Sequence, residues 1–234
     1  MAARRKNKIE KQKRSPGRVA KRAVSIPKAV IFDIGRVIVR LDPKRAFAPI
    51  AVGITEVANS RDKQLSPNHV WKLICADEHW QEWQEGRLSP AKWHRHLMQR
   101  LKLSLTYNEF RDAWNRVLDP ELILPEDLFA RLSGHCRLAL LSNTDPIHAE
   151  CLERQFGFWR HFPVRIYSCQ VGATKPSPAI YRAALESLGV AASETVYVDD
   201  IPEFVEAARQ IGVDAIHFKT RDLLEAELRH RHLC

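Results

Sequence analysis

Between residues 28 and 42 the chain reads KAVIFDIGRVIVRLD, and within it an apolar run from Ala29 to Phe32 stops at a carboxylate, Asp33. A short unbroken apolar run is the pattern of a strand buried on both faces, as in a parallel sheet. In open sheets of that kind, ligands bind at the carboxyl ends of the strands. The run therefore predicts a central strand that delivers Asp33 to a crevice as a nucleophile or metal ligand. An aspartate at a strand end also suits plain turn chemistry.

Later segments decide between these two readings. Strands are predicted at 137–141, 164–167, 195–198 and 214–218, with helices at 146–156, 178–188, 205–211 and 222–231. Strands alternating with helices imply βαβ units, and right-handed crossovers put every strand's carboxyl end on one edge. The expected fold class is α/β, a Rossmann-like three-layer core with a mainly parallel sheet. From Pro43 onward the pattern changes, because Trp71, Leu73, Ile74, Trp80, Trp83, Leu88, Trp93, Leu97 and Leu101 recur at helical spacing. This predicts a small α-helical insert at 43–118, dividing a core made of 28–42 and 119–234.

The formal charge of +9 belongs to one end of the chain. Residues 1–28 hold eleven Lys or Arg against Glu10 alone, which leaves 26 basic and 27 acidic residues in the remainder. Residues 1–27 are thus expected to form a solvated basic arm, and nucleic acid is a possible partner only through 1–25. No stretch is long and apolar enough to span a bilayer, so no membrane partner is expected. The start of the chain lacks the apolar centre of a secretory signal, and the expected location is cytoplasmic. The five cysteines are scattered without close pairs and read as reduced thiols with no zinc framework.

Three predicted strands end in polar groups that suit one task. Asp33 follows the first, Ser142-Asn143-Thr144 the second, and Asp199-Asp200 the strand VYV, while Lys175 lies in the loop GATKPSP ahead of a helix. Converging on one edge, they supply a carboxylate nucleophile, a hydroxyl and amide cradle, a cation and an acidic pair. That set fits phosphoryl transfer assisted by a hard divalent cation. Taken singly, the triplet also suits a helix cap and the acids suit turns.

The order FDIGRV, LLSNT, KPSPAIY and VYVDDIPE resembles the four-motif pattern of the haloacid dehalogenase superfamily. The resemblance covers residues 28–220 and makes the helical insert a cap. Phe32 to Gly35 and the segment 85–89 (EGRLS) are similar to the glucose-1-phosphate phosphatase-like branch of capped phosphatases. The resemblance implies a phosphoric monoester hydrolase acting on small phosphorylated metabolites, sugar phosphates among them, through an aspartyl-phosphate on Asp33. It further implies Mg²⁺ held by Asp33, the Gly35 carbonyl and Asp200, with Asp199 as a further ligand or an orienting group. Ser142, the Asn143 backbone amide and Lys175 would bind the phosphoryl group, with Lys175 also beside the nucleophile. Arg36, Trp80, Trp83 and Arg87 would face the substrate, although tryptophans at helical spacing also suit core packing.

Two departures from the pattern bear on activity. Phosphatases of this superfamily mostly carry a second aspartate two residues after the nucleophile, as general acid and base, and this chain has Gly35 there. The other is Phe204, four residues after Asp200, where Asn or Asp is common; Glu203 is its neighbour but points about 100° away on a helix. The alternative reading is a catalytically weak phosphate-binding protein whose basic arm docks on an acidic partner such as nucleic acid.

Overall fold

The computed structural model describes residues 26–51 and 66–233, so the basic arm lies outside the described residues. Five strands form a parallel sheet: β1 (Ala29–Phe32), β4 (Arg137–Ser142), β5 (Val164–Tyr167), β6 (Thr195–Asp199) and β7 (Asp214–His217). The two remaining strands, β2 (Val39–Leu41) and β3 (Leu118–Leu122), pair antiparallel as a separate ribbon. The spatial order in the main sheet is β5-β4-β1-β6-β7, which places β1 at the centre. Neighbours register Phe32 against Leu140 on one side and Val198 on the other. Asp33 and Asp199 therefore emerge at one level beside Leu141, with Ser142 one residue further on.

Side chains alternate across the sheet with the period of two that strands impose. Val30, Phe32, Leu138, Leu140, Val196 and Val198 enter one core, against the helices Glu126–Ser133, Pro146–Gln155 and Arg221–His230. Ala29, Ile31, Ala139, Leu141 and Tyr197 enter the other, under the helices Pro178–Leu188 and Pro202–Gln210. This is the three-layer arrangement expected from the sequence. Phe32 is fully buried and meets Phe129 and Phe162 edge-on, at 5.6 and 6.0 Å between ring centroids. Burial of such a ring contributes on the order of 2–3 kcal/mol.

Helices start where the chain supplies both a cap and a fixed φ. Ser66-Pro67, Ser89-Pro90, Asp145-Pro146 and Ser177-Pro178 each place a side-chain acceptor on the first free amides, with proline at the first helical position. Thr106 and Glu109 form a reciprocal capping box. The described helices between Pro43 and Asn115 share an aromatic core of Phe47, Trp83, Trp93, Phe110 and Trp114.

The ribbon of β2 and β3 was not expected. Residues 118–122 read LDPEL, with neither an apolar run nor alternation, and Pro120 is tolerated because the pairing is at an edge. The ribbon joins Asp42 to Val117 by a 2.8 Å backbone hydrogen bond, so both connections between the helical segment and the sheet leave from one point.

Candidate active site

Asp33, Asp199 and Asp200 stand together at the carboxyl ends of β1 and β6, each offering an oxygen within 4.8 Å of the others. Asp33 is the first residue past β1, and its amide still donates to the Val198 carbonyl at 2.9 Å. Lys175 crosses to them from the loop before the Pro178–Leu188 helix. Its Nζ donates to Asp33 Oδ1 at 2.6 Å and to Asp199 Oδ2 at 2.7 Å, with all three side chains nearly excluded from solvent. Asn143 fixes that loop: its Oδ1 accepts from the Lys175 amide at 2.7 Å and its Nδ2 donates to the Lys175 carbonyl at 3.0 Å. The Asn143 side chain is thereby spent on positioning Lys175.

The two adjacent acids differ in what they hold. Asp199 Oδ2 accepts from Lys175 and from the Tyr197 hydroxyl, and Oδ1 accepts from the Ile201 amide at 2.8 Å. Asp200 has only its Oδ2 engaged, by Arg36 Nε at 2.7 Å, and its buried Oδ1 has no partner. A buried carboxylate oxygen without a donor is costly to leave so. With carboxylate oxygens within reach of one another and one of them buried without a partner, the cluster suits a hard divalent cation such as Mg²⁺.

Burial pushes Asp33 up to about 7; Lys175 opposes that rise and Asp199 adds to it. Burial works to lower Lys175, but Asp33 and Asp199 outweigh it and hold the ammonium above its ordinary range. Lys175 Nζ also lies 5.0 Å from the Phe204 ring centroid and 5.8 Å from that of Tyr197, so two aromatic faces complete its coordination. Phe204 occupies this place while Glu203 is exposed and lies outside the cavity lining, so Glu203 does not substitute for the missing polar group.

A cavity of about 340 Å³ opens over the cluster, lined by Asp33, Gly35, Arg36, Ser142, Asn143, Thr144 and Lys175 at one end. Arg36 has a left-handed backbone (φ 61°), which turns its side chain back onto Asp200. From the helical segment come Trp71, Cys75, Trp80 and Gln84. Of the four residues expected to face substrate, Arg36 and Trp80 line the cavity and two do not. Trp83 is fully buried and stacks on Trp93 at 5.6 Å, so its ring is spent on the core. Arg87 lies at the surface, paired with Glu85 at 2.9 Å. Sequence reasoning missed Trp71, which has the same helical spacing as its neighbours and is distinguished only by the face it presents. Asp145 and His148 were also missed; both are buried, line the cavity and are bonded to Trp114.

A model of the haloacid dehalogenase-like hydrolases matches residues 27–212. The chain belongs to that family. It is 27% identical over 194 residues to a D-ribitol-5-phosphate phosphatase of Bacteroides thetaiotaomicron, covering 80% of this chain and 89% of the relative. A family enzyme of that organism, crystallised with magnesium and inorganic phosphate, superposes with a TM-score of 0.67 at 23% identity, covering 83% of this chain and 96% of the other. A family hydrolase from Porphyromonas gingivalis gives 0.69 at 22% identity, covering 88% and 98%. The fold is shared with both structures, and the family's phosphatases make this chain a phosphatase-type hydrolase. No helix among the described residues is long and apolar enough to cross a membrane.

Proposed function

We propose that this chain hydrolyses small phosphate monoesters in a Mg²⁺-dependent reaction with Asp33 as nucleophile. The observation that carries the reading is the buried cluster of Asp33, Lys175, Asp199 and Asp200 at one sheet edge. An Asp33 oxygen attacks phosphorus and forms an aspartyl-phosphate, which water then cleaves, so one difficult displacement becomes two easier ones. Lys175 holds Asp33 Oδ1 and orients the carboxylate. Ser142 and the Asn143 amide bind phosphoryl oxygens, with Lys175 as the point charge. Asp33, Asp200 and the Gly35 carbonyl would hold Mg²⁺, which supplies neutralisation of the phosphoryl charge.

Asp200 rather than Asp199 is the acidic-pair member that meets the ion, since Asp199 has both oxygens occupied and Asp200 Oδ1 has none. Asp199 acts by aiming Lys175. The described helices between Pro43 and Asn115 act as a cap over substrate, and Trp71 and Trp80 from the cap, with Arg36 from the core, are the specificity contacts. The deciding experiment is phosphate release from sugar, nucleotide, aryl and acyl phosphates, with Mg²⁺ or with chelator, by the parent and Asp33→Asn. Metal-dependent release by the parent alone supports the reading. A folded, Mg²⁺-binding parent that turns over none of them supports the phosphate-binding alternative instead.

A further inference from the structure

Two independent features of the cavity bear on the alcohol that departs. The first is the chemistry at position 35. A side chain built on Gly35 would put its Cβ 3.2 Å from Leu41 Cδ1, so Leu41, which itself lines the cavity, would have to give by a few tenths of an ångström to admit a second acid. Of the other titratable groups there, burial pushes the Cys75 thiol up to about 12, and the rest are already committed. Asp145 accepts from Trp114 Nε1, the Ile147 and His148 amides and His148 Nδ1, and His148 Nε2 is spent on the Trp114 carbonyl. Lys175 and Arg36 are tied to the aspartates. Among the described residues, no free carboxylic acid is left to protonate a departing oxygen.

The second feature is the wall facing the cluster. Trp71 and Trp80 meet edge-to-face at 5.9 Å, and both rest on Trp114, at 5.7 and 6.3 Å, so the two rings are held rigidly. Val117, Leu118 and Leu152 continue the surface. From the described residues of the helical segment, Gln84 is the sole amide that reaches the cavity, and no hydroxyl, carboxylate or cation does. Against this wall a polyol chain would meet few polar partners, Gln84 and the Cys75 thiol among them, whereas an aromatic ring would lie against two indoles.

We infer, building on the phosphatase reading above, that the substrate is an aryl phosphate, in which a phenolic oxygen on an aromatic ring leaves phosphorus. A phenol has a pKa of about 10, against nearly 16 for water and similar values for aliphatic alcohols, so its oxygen departs as the anion without help. As the bond from Asp33 to phosphorus forms, the bond from phosphorus to the aryl oxygen breaks and the electron pair leaves on the aryloxide. Water then bonds to phosphorus, the bond from Asp33 to phosphorus breaks, and the proton that water releases balances the phenol. Ester and water give phenol and inorganic phosphate, with no oxidant or further reactant.

The test compares kcat/KM, with Mg²⁺, for phenyl phosphate, 2-phenylethyl phosphate, acetyl phosphate and ribitol 5-phosphate. Phenyl phosphate is expected to exceed 2-phenylethyl phosphate, which keeps the ring but not the leaving group, by about a hundredfold or more, in line with the worth of the absent acid. It is expected to exceed ribitol 5-phosphate by at least as much. Binding isolates the wall from the chemistry: phenylphosphonate is expected to bind about tenfold tighter than methylphosphonate, and Trp71→Leu, checked for an intact melting transition, to abolish that preference. Ribitol 5-phosphate or 2-phenylethyl phosphate turned over as fast as phenyl phosphate overturns the inference and leaves the phosphatase reading standing. No release from any of the four, acetyl phosphate included, overturns both.

Discussion

Replacing His148 by alanine breaks a buried ion pair whose contribution depends on pH in a defined direction. His148 Nδ1 lies 2.8 Å from Asp145 Oδ2 and Nε2 lies 2.9 Å from the Trp114 carbonyl oxygen. Both neighbours accept, so both ring nitrogens donate and the imidazole carries the charge. The ring also stacks on Trp114 at 5.3 Å. Burial works to lower His148, but Asp145 outweighs it and holds the imidazole above its ordinary range. Burial works to raise Asp145, but His148 and its hydrogen bonds outweigh it and hold the carboxyl below its range. The His148 contribution is therefore complete below its unfolded value of about 6.5 and is lost as pH rises through the raised folded value. The Asp145 contribution is complete above about 3.9 and is lost as pH falls through the lowered folded value. Removing one partner of a buried pair costs about 3–5 kcal/mol. At 2–4 °C per kcal/mol for a chain of this size, His148→Ala should lower the melting temperature by about 10 °C at pH 6. Thermal unfolding of both proteins at pH 6 and pH 9.5 checks this, and the gap should narrow at the higher pH. A gap that stayed the same at both values would refute a charged His148.

Other expectations concern the acidic cluster and its surroundings. Asp200→Asn should abolish Mg²⁺ binding in calorimetry, whereas Asp199→Asn should weaken it less and chiefly release Lys175, because Asp199 has no free oxygen. Phe204→Asn should raise Mg²⁺ affinity severalfold by adding an oxygen donor beside an otherwise apolar ring contact, measured by the same titration. Gly35→Asp alone should destabilise by about 1–3 kcal/mol through its approach to Leu41, and combining it with Leu41→Ala should relieve the crowding and speed alkyl phosphate hydrolysis in a phosphate-release assay. Trp83→Ala should cost about 3–5 kcal/mol in denaturant unfolding, with substrate preference retained, since the ring packs on Trp93 away from the cavity.

The parts of the fold that the sequence made legible are those where burial alone sets residue choice. The three central strands β1, β4 and β6 are apolar runs that end abruptly in polar residues, and the expected bounds of all five sheet strands lie within a residue of those observed. Leu118–Leu122 was missed because its pairing is an edge ribbon held by backbone hydrogen bonds, which leaves no mark on a sequence containing Asp119, Pro120 and Glu121. Helix Glu126–Ser133 was passed over because its eight residues show only Leu128, Phe129 and Leu132 as a face. In the site, chemistry could be read and direction could not. Adjacent residues such as Asp199 and Asp200 differ by the side of the backbone they leave, which is decided by Lys175 and Tyr197 packing against one of them. The tryptophans pose the same problem on helices, where a regular spacing reveals a common face but not whether it meets the core, as for Trp83, or the cavity, as for Trp71 and Trp80.

The central claim is that Asp33 carries the phosphoryl group between substrate and water. It is tested most directly by quenching a Mg²⁺-supported turnover with borohydride, which reduces an acyl phosphate to an alcohol, and mapping the digested protein by mass spectrometry. The account expects homoserine at position 33, dependent on substrate and absent in Asp33→Asn. Turnover with Asp33 unmodified, or reduction at another carboxylate such as Asp200, would contradict it.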